Sequence, residues 1–204
     1  MTLGLIDIES GNLKSLESAI DKSNIKYKIC SNVHDFSGVS KLILPGVGAF
    51  PDFMSRLKQK NLFNIIIEKC NQNVPFLGIC VGYQVIFTKS EEHELRSGLN
   101  LISGSFVHFS NKKQNIKVPH VGWNNCKFFK KNPLFEGIDD NSDFYFDHSF
   151  YLETNFEDCF LSSTEYYFDF ISSVNHKNIY GVQFHPEKSQ DNGLRCLKNF
   201  YEYC

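Results

Sequence analysis

The sequence predicts an α/β protein built on an open mixed sheet, mostly parallel and flanked by helices, with additional antiparallel strands in its second half. Three observations lead there. Short apolar runs in the first half alternate with segments whose apolar residues recur at helical spacing. One of those runs, VPFLGI (74–79), is nearly continuous in apolar residues, as suits a strand buried on both faces of a parallel sheet. The second half then changes to short aromatic and β-branched segments separated by turns, the pattern of antiparallel strands.

Taken in order, LGLIDI (3–8) reads as a strand ending in an acid, and ESGN (9–12) as a turn with capping residues. LKSLESAIDKS (13–23) places Leu13, Leu16 and Ile20 at helical spacing, and KYKIC (26–30) returns as a strand. KLILPGVGAF (41–50) is a strand that stops at Pro-Gly. DFMSRLKQ (52–59) is helical, as is NLFNIIIEKC (61–70), whose Leu62, Ile65, Ile66 and Cys70 share a face. After the strand 74–79, VGYQVIFTKS (81–90) reads as a helix. The segments 103–109, 143–152, 158–163, 167–174 and 178–184 read as strands, and 189–203 as a closing helix with Leu194, Leu197 and Phe200 on one face. Without repeats, low-complexity tracts or a long linker, the chain is expected to form one domain over 1–204.

Composition narrows the function classes. Of 204 residues, 42% are hydrophobic and 22% charged, enough for a proper core, and the net charge of −2 is spread without blocks. No basic stripe points to nucleic acid. The first apolar stretch meets Asp7 with no basic segment before it, unlike a signal peptide, and no run approaches the roughly 18 apolar residues of a membrane span. The expectation is a soluble cytoplasmic protein. The seven cysteines are odd in number and lack C-x-x-C spacing, so neither a disulfide framework nor a zinc knuckle is indicated. His120, His148 and His185 have no ligand-like spacing, and neither a metal nor a cofactor is expected.

The chemistry concentrates at three strand ends. In GICVG (78–82) a cysteine stands between two glycines, after a strand and before a helical segment. A chain that must reverse within so few residues needs glycines beside the reversal, and it holds the intervening side chain clear of the sheet. This is the nucleophile-elbow logic with sulfur in place of oxygen. A helix start after Cys80 would favour a thiolate and aim amides at an anion. A buried cysteine at a tight strand-to-helix junction fits the same pattern. Downstream, YGVQFHPEKSQ (180–190) delivers His185 at a strand end with Glu187 two positions on, so that a carboxylate can hold an imidazole that serves the thiol. LPGVGAF (44–50) supplies Gly46, Val47 and Gly48, where backbone amides can approach an oxyanion, or else a plain Pro-Gly turn. Strand ends on one side of an open sheet are where an α/β site is expected.

With GICVGYQ, LPGVGAF, KVPHVGWN (117–124), YFDHSFY (145–151), GVQFHPEKSQ and GLRCLKNF (193–200) in order from end to end, the chain resembles the class I (triad-type) glutamine amidotransferases, of flavodoxin-like fold. More narrowly it resembles the glutaminase subunits of imidazole glycerol phosphate synthases. The resemblance implies that Cys80 attacks the side-chain amide of L-glutamine, that His185 moves the proton and that Glu187 stands behind it. It implies that Gly46, Val47, Gly48 and Val81 form the oxyanion segment, and that Gln84, His148, Ser149 and Phe150 line the substrate pocket. It further implies that Asn12, Trp123 and Lys188 face a partner, a (β/α)8 cyclase subunit that receives the ammonia and forms imidazole glycerol phosphate and AICAR in histidine biosynthesis. From the residues alone, Asn12 is equally an N-cap, Lys188 a solvated charge and Trp123 a core aromatic.

The sequence departs from the family pattern at Ile8-Glu9-Ser10, at Tyr83 and at Asp147. A paralogous subunit feeding ammonia to a sugar amidotransferase for surface polysaccharide therefore stands beside the histidine pathway as a reading. A cysteine peptidase or chaperone-like protein on a related scaffold would share the elbow but not Gln84, HPEKS or PHVGWN. A catalytically dead interaction subunit would be expected to have lost Cys80, His185 or Glu187.

Overall fold

Strands whose side chains are apolar on both faces are stable only where both faces are covered, and the first half of the chain meets that demand by alternating strands with helices. The computed structural model describes residues 1–9, 13–94 and 96–204. In chain order it begins with β1 (Leu3–Ile6), α1 (Leu13–Lys22), β2 (Tyr27–Cys30), β3 (Lys41–Gly46), α2 (Phe50–Gln59), α3 (Leu62–Asn71) and β4 (Phe76–Cys80). There follow α4 (Val81–Gln84), β5 (Phe87–Ser90), β6 (Arg96–Ser97), β7 (Ile102–His108), α5 (Phe109–Lys112), β8 (His120–Phe128) and β9 (Ser142–His148). β10 (Phe150–Glu153), β11 (Phe160–Glu165), β12 (Asp169–His176), β13 (Ile179–Val182) and α6 (Gln190–Tyr203) complete it.

The strands form a nine-stranded sheet in the order β2-β1-β3-β4-β13-β12-β11-β8-β9 and a four-stranded sheet in the order β10-β7-β5-β6. From β2 to β13 the large sheet is parallel; from β13 to β9 it is antiparallel. Every residue of β1, β3, β4 and β13 is buried, as the near-continuous apolar runs require. Helix α1 buries Leu16, Ala19 and Ile20 and packs against α6, while α2 packs against α3. Among the described residues, no helix is long and apolar enough to cross a membrane.

Two segments read as single elements are divided in the structure. The segment 81–90 is not one helix: it makes a single turn, α4, and then extends as β5. Val85, Ile86, Phe87 and Thr88 are β-branched or aromatic, and their carbonyls are taken by a distant segment. Leu99 N–H donates to Val85 at 2.7 Å, Leu101 N–H to Ile86 at 2.8 Å and Gly98 N–H to Thr88 at 2.9 Å. Segment 143–152 is not one strand either. β9 pairs His148 with His120 in the large sheet, whereas β10 pairs Phe150 with His108 in the small one, so the chain changes sheets at Ser149.

β8 carries a strict alternation that the sequence reading did not use as a strand. His120 and Cys126 point inward and are buried, while Val121, Trp123, Asn125 and Lys127 point outward. Trp123 is 49% exposed and so is not a core aromatic.

The junction between β3, β4 and α4 has no room for side-chain carbon at its glycines. A Cβ on Gly82 would overlap the Leu44 carbonyl oxygen, and one on Gly78 would overlap the Gly82 carbonyl. Both obstacles are backbone and cannot rotate away. Gly82→Ala is therefore expected to lower stability by at least about 1–3 kcal/mol, the cost of forcing extra carbon into a packed core. An unchanged urea midpoint would show that β3 and α4 are less tightly joined.

Candidate active site

Cys80 ends β4 with φ 53° and ψ −109°, a conformation that a residue with a side chain adopts only when its surroundings impose it. Its register partner in β3 is Gly46. The following helix is one turn long, so what it offers is a few unpaired N–H groups rather than the dipole of a long helix. The sulfur lies 3.8 Å from the Asp147 carbonyl oxygen, and the Gln183 side-chain amide donates to it at 3.8 Å. Gln183 in turn accepts from the Gln84 amide at 3.3 Å.

His185 follows the end of β13 and is 1% exposed. Its Nδ1 lies 2.8 Å from Glu187 Oε1, so this nitrogen carries the proton and Nε2 is left for the cysteine. The backbone there is fixed on both sides. His185 N–H donates to the Tyr145 carbonyl at 2.8 Å, and the Ser189 hydroxyl donates to the His185 carbonyl at 2.6 Å while accepting from Tyr145 N–H at 3.0 Å. Burial by itself would lower the pKa of His185. The electrostatic interaction and hydrogen bond with the Cys80 side chain, followed by the Glu187 carboxylate, outweigh burial and raise the ring to about 10. An imidazole held this way beside a cysteine can take up and return the thiol proton.

Cys30, Cys70, Cys126, Cys159 and Cys196 are free and buried. Burial pushes the Cys70 thiol up to about 12 and that of Cys126 up to about 11, so these remain thiols and serve as core filler.

A cavity of about 240 Å³ opens at Cys80 and His185, lined also by Val47, Gly48, Val81, Gln84, Glu92, Pro119, Asp147, His148, Ser149 and Phe150. It is smaller than the roughly 300–1,000 Å³ of drug-sized sites and suits an amino acid. Glu92 gives it negative charge for a ligand ammonium, whereas Asp147 meets it at its backbone carbonyl, beside the Cys80 sulfur. Glu92 is held in place by Phe50 N–H at the start of α2, 2.7 Å from its Oε2.

Residues 4–204 match the family described as glutamine amidotransferase class-I. The chain belongs to that family. It is 45% identical over 202 residues to the protein of Methanosarcina barkeri named imidazole glycerol phosphate synthase subunit HisH, covering 98% of each. It is 42% identical over 203 residues to the protein of that name from Sulfurimonas denitrificans, again covering 98% of each. Among solved structures, a glutamine amidotransferase superposes with TM-score 0.78 at 14% identity, covering 98% of this chain and 97% of that one. PurLQS from Thermotoga maritima superposes with TM-score 0.76 at 14% identity, covering 99% and 98%. Those two likenesses establish the fold.

In this amidotransferase the structure brings Cys80, His185, Val47, Gly48, Val81, Gln84, His148, Ser149 and Phe150 to one cavity, with Glu187 directly behind His185. Gly46 lies one step back in β3, against the Phe53 ring. Trp123 and Lys188 form a separate outward patch around Tyr145. The Trp123 ring meets it edge-on at 6.1 Å, and Lys188 Nζ lies 5.3 Å from its centroid. Asn12 lies outside the described residues. The departure at Glu9 is accounted for locally, since its carboxylate pairs with Lys60 at 2.8 Å and its carbonyl accepts from Arg56 at 2.9 Å. Sequence reasoning missed Glu92, Gln183 and His120. No motif marks Glu92, and only the identity of Gln183 as a polar residue in an apolar strand could have drawn notice.

Replacing Cys80 by serine weakens the interaction that does most to raise His185, so the imidazole should titrate well below about 10, and lower still when Glu187→Gln is added. Imidazole nitrogen chemical shifts followed against pH read this directly. A ring that titrates unchanged in Cys80→Ser would mean that the sulfur is not its main partner.

Proposed function

We propose that this protein is the glutaminase subunit of an imidazole glycerol phosphate synthase, with Cys80, His185 and Glu187 as its catalytic triad. The observation that carries the reading is the buried line from Glu187 through His185 to Cys80 at the wall of an amino-acid-sized cavity. L-Glutamine enters with its ammonium toward Glu92 and its side-chain amide toward the cysteine. The Cys80 sulfur attacks the amide carbon, and the C=O electrons move onto oxygen. Amides of Val81 and of the Val47–Gly48 segment face that oxyanion. His185 then gives its Nε2 proton to the amide nitrogen, ammonia leaves, and a γ-glutamyl thioester remains. Water, losing a proton to His185, attacks the thioester and releases glutamate and the thiolate. Glu187 holds the ring tautomer and balances the imidazolium charge throughout.

The relatives' name supports a partner subunit, and the reading gives this chain a (β/α)8 cyclase partner. Ammonia in neutral water is largely protonated and no longer nucleophilic, so it is passed on through a docked, closed path. The exposed Val121 and Trp123, with Tyr145 and Lys188 beside them, form the face toward that partner.

The test is glutamate release from glutamine by the subunit alone and with the host's histidine-pathway cyclase and its nucleotide substrate. Strong stimulation is expected. A flat response, with Cys80 still labelled by a glutamine-analogue inhibitor, would assign the ammonia to another synthase, such as one modifying surface sugars. In the complex, Cys80→Ala should cut glutamine-dependent turnover by roughly a thousandfold or more. Ammonium-dependent synthesis should persist, because the cyclase is intact. Retained glutaminase activity in Cys80→Ala would overturn the triad.

A further inference from the structure

Beneath the pocket segment 148–150 lies a chain of side chains, two of them buried histidines, that the triad does not use. His120 and His148 are register partners on β8 and β9, 2% and 5% exposed. His148 Nδ1 lies 2.8 Å from the Phe150 carbonyl oxygen, and His120 Nδ1 lies 3.0 Å from His148 Nε2. The Asn124 amide nitrogen lies 3.2 Å from His120 Nε2 and 2.9 Å from the Glu165 carbonyl.

These contacts admit one arrangement of protons. A carbonyl only accepts, so His148 Nδ1 carries the hydrogen that Phe150 receives. With that ring neutral, its Nε2 is an acceptor and the proton between the two rings belongs to His120 Nδ1. His120 Nε2 is then the acceptor for Asn124. Burial, with the neighbouring His120 adding to it at His148, lowers His120 to about 4 and His148 to about 3, which keeps both neutral. His120 is also clamped between aromatic rings, stacked on Tyr166 at 4.0 Å and on Phe146 at 4.8 Å. Every polar atom of the two rings is used, and none is left for a ligand.

We infer that His120 is a positioning residue for glutamine. The directed chain Asn124 to His120 to His148 to the Phe150 carbonyl fixes where Ser149 and Phe150 stand in the cavity wall, at the point where the chain leaves one sheet for the other. The inference rests on the glutaminase reading and adds to it a residue that touches neither substrate nor triad. It also makes β8 the support of the pocket on one face while its other face presents Val121 and Trp123.

Two measurements test it. In the wild-type protein, nitrogen chemical shifts should show both His120 and His148 as neutral Nδ1–H tautomers near pH 7. Either ring in the Nε2–H form would overturn the chain without any variant. In the complex with cyclase, His120→Phe keeps the stacking but removes the donor. It should raise KM for glutamine at least about fivefold, the size expected for one lost buried hydrogen bond. The rate of Cys80 alkylation by iodoacetamide should stay within about twofold. His120→Asn, whose amide nitrogen can stand where Nδ1 stood, should bring KM back to within about twofold of wild type. An unchanged KM in His120→Phe, or equal impairment in both variants, would reduce His120 to packing. A wild-type complex that hydrolyses no glutamine would instead sink the glutaminase reading and this role with it, whatever the tautomers.

Discussion

A cysteine held at positive φ is the constraint on which the arrangement depends. Cys80 keeps φ 53° and ψ −109° only because β3, β4 and α4 leave its neighbours no other course. Gly82 lies against the Leu44 carbonyl and Gly78 against the Gly82 carbonyl, so the reversal is locked by backbone on both sides. The next strand completes the lock. Gly181 of β13 leaves space for the Tyr83 ring, which is fully buried and meets Phe87 and Phe106 edge-on at 5.4 and 5.2 Å. The tyrosine that departs from the family pattern is thus a packing element of the elbow, and its hydroxyl donates to the Ile171 carbonyl at 3.4 Å.

Three histidines share this region and hold different charges for identifiable reasons. All three are buried, and burial alone favours the neutral ring. His185 escapes that fate because it has acidic partners on both nitrogens, a cysteine sulfur and a carboxylate. His120 and His148 have only a carbonyl, an amide and each other, and so remain neutral. One residue type is therefore held protonated at one position and neutral at two others in the same region. The difference lies in the partners that the sheet register delivers.

Much of this was legible in the sequence. The strands and helices through residue 80 follow from hydrophobic period, and the three chemical segments announce themselves by residue type and spacing at strand ends. The misreadings share a cause. Segment 81–90 has enough apolar residues to read as a helix, but Val85, Ile86 and Thr88 find their carbonyl partners in 98–101, which no local window contains. The run 143–152 alternates well enough for one strand, yet its two halves belong to different sheets because His120 and His108 lie on different neighbours. Glu92 sits in an irregular segment without pattern, and its place beside the cavity comes from the N–H of Phe50.

By itself, then, the sequence determined the periodic elements, the glycines without which the elbow cannot close, and the presence of a thiol, an imidazole and a carboxylate suited to nucleophilic chemistry. These are properties of residues and their near neighbours. Only the tertiary structure decided which strand ends meet, which of three buried histidines carries charge, and that the Glu92 carboxylate lies at the cavity. Each of those outcomes is set by a contact between segments far apart in the chain, and its energy depends on distance and burial that arise only once the sheets are assembled.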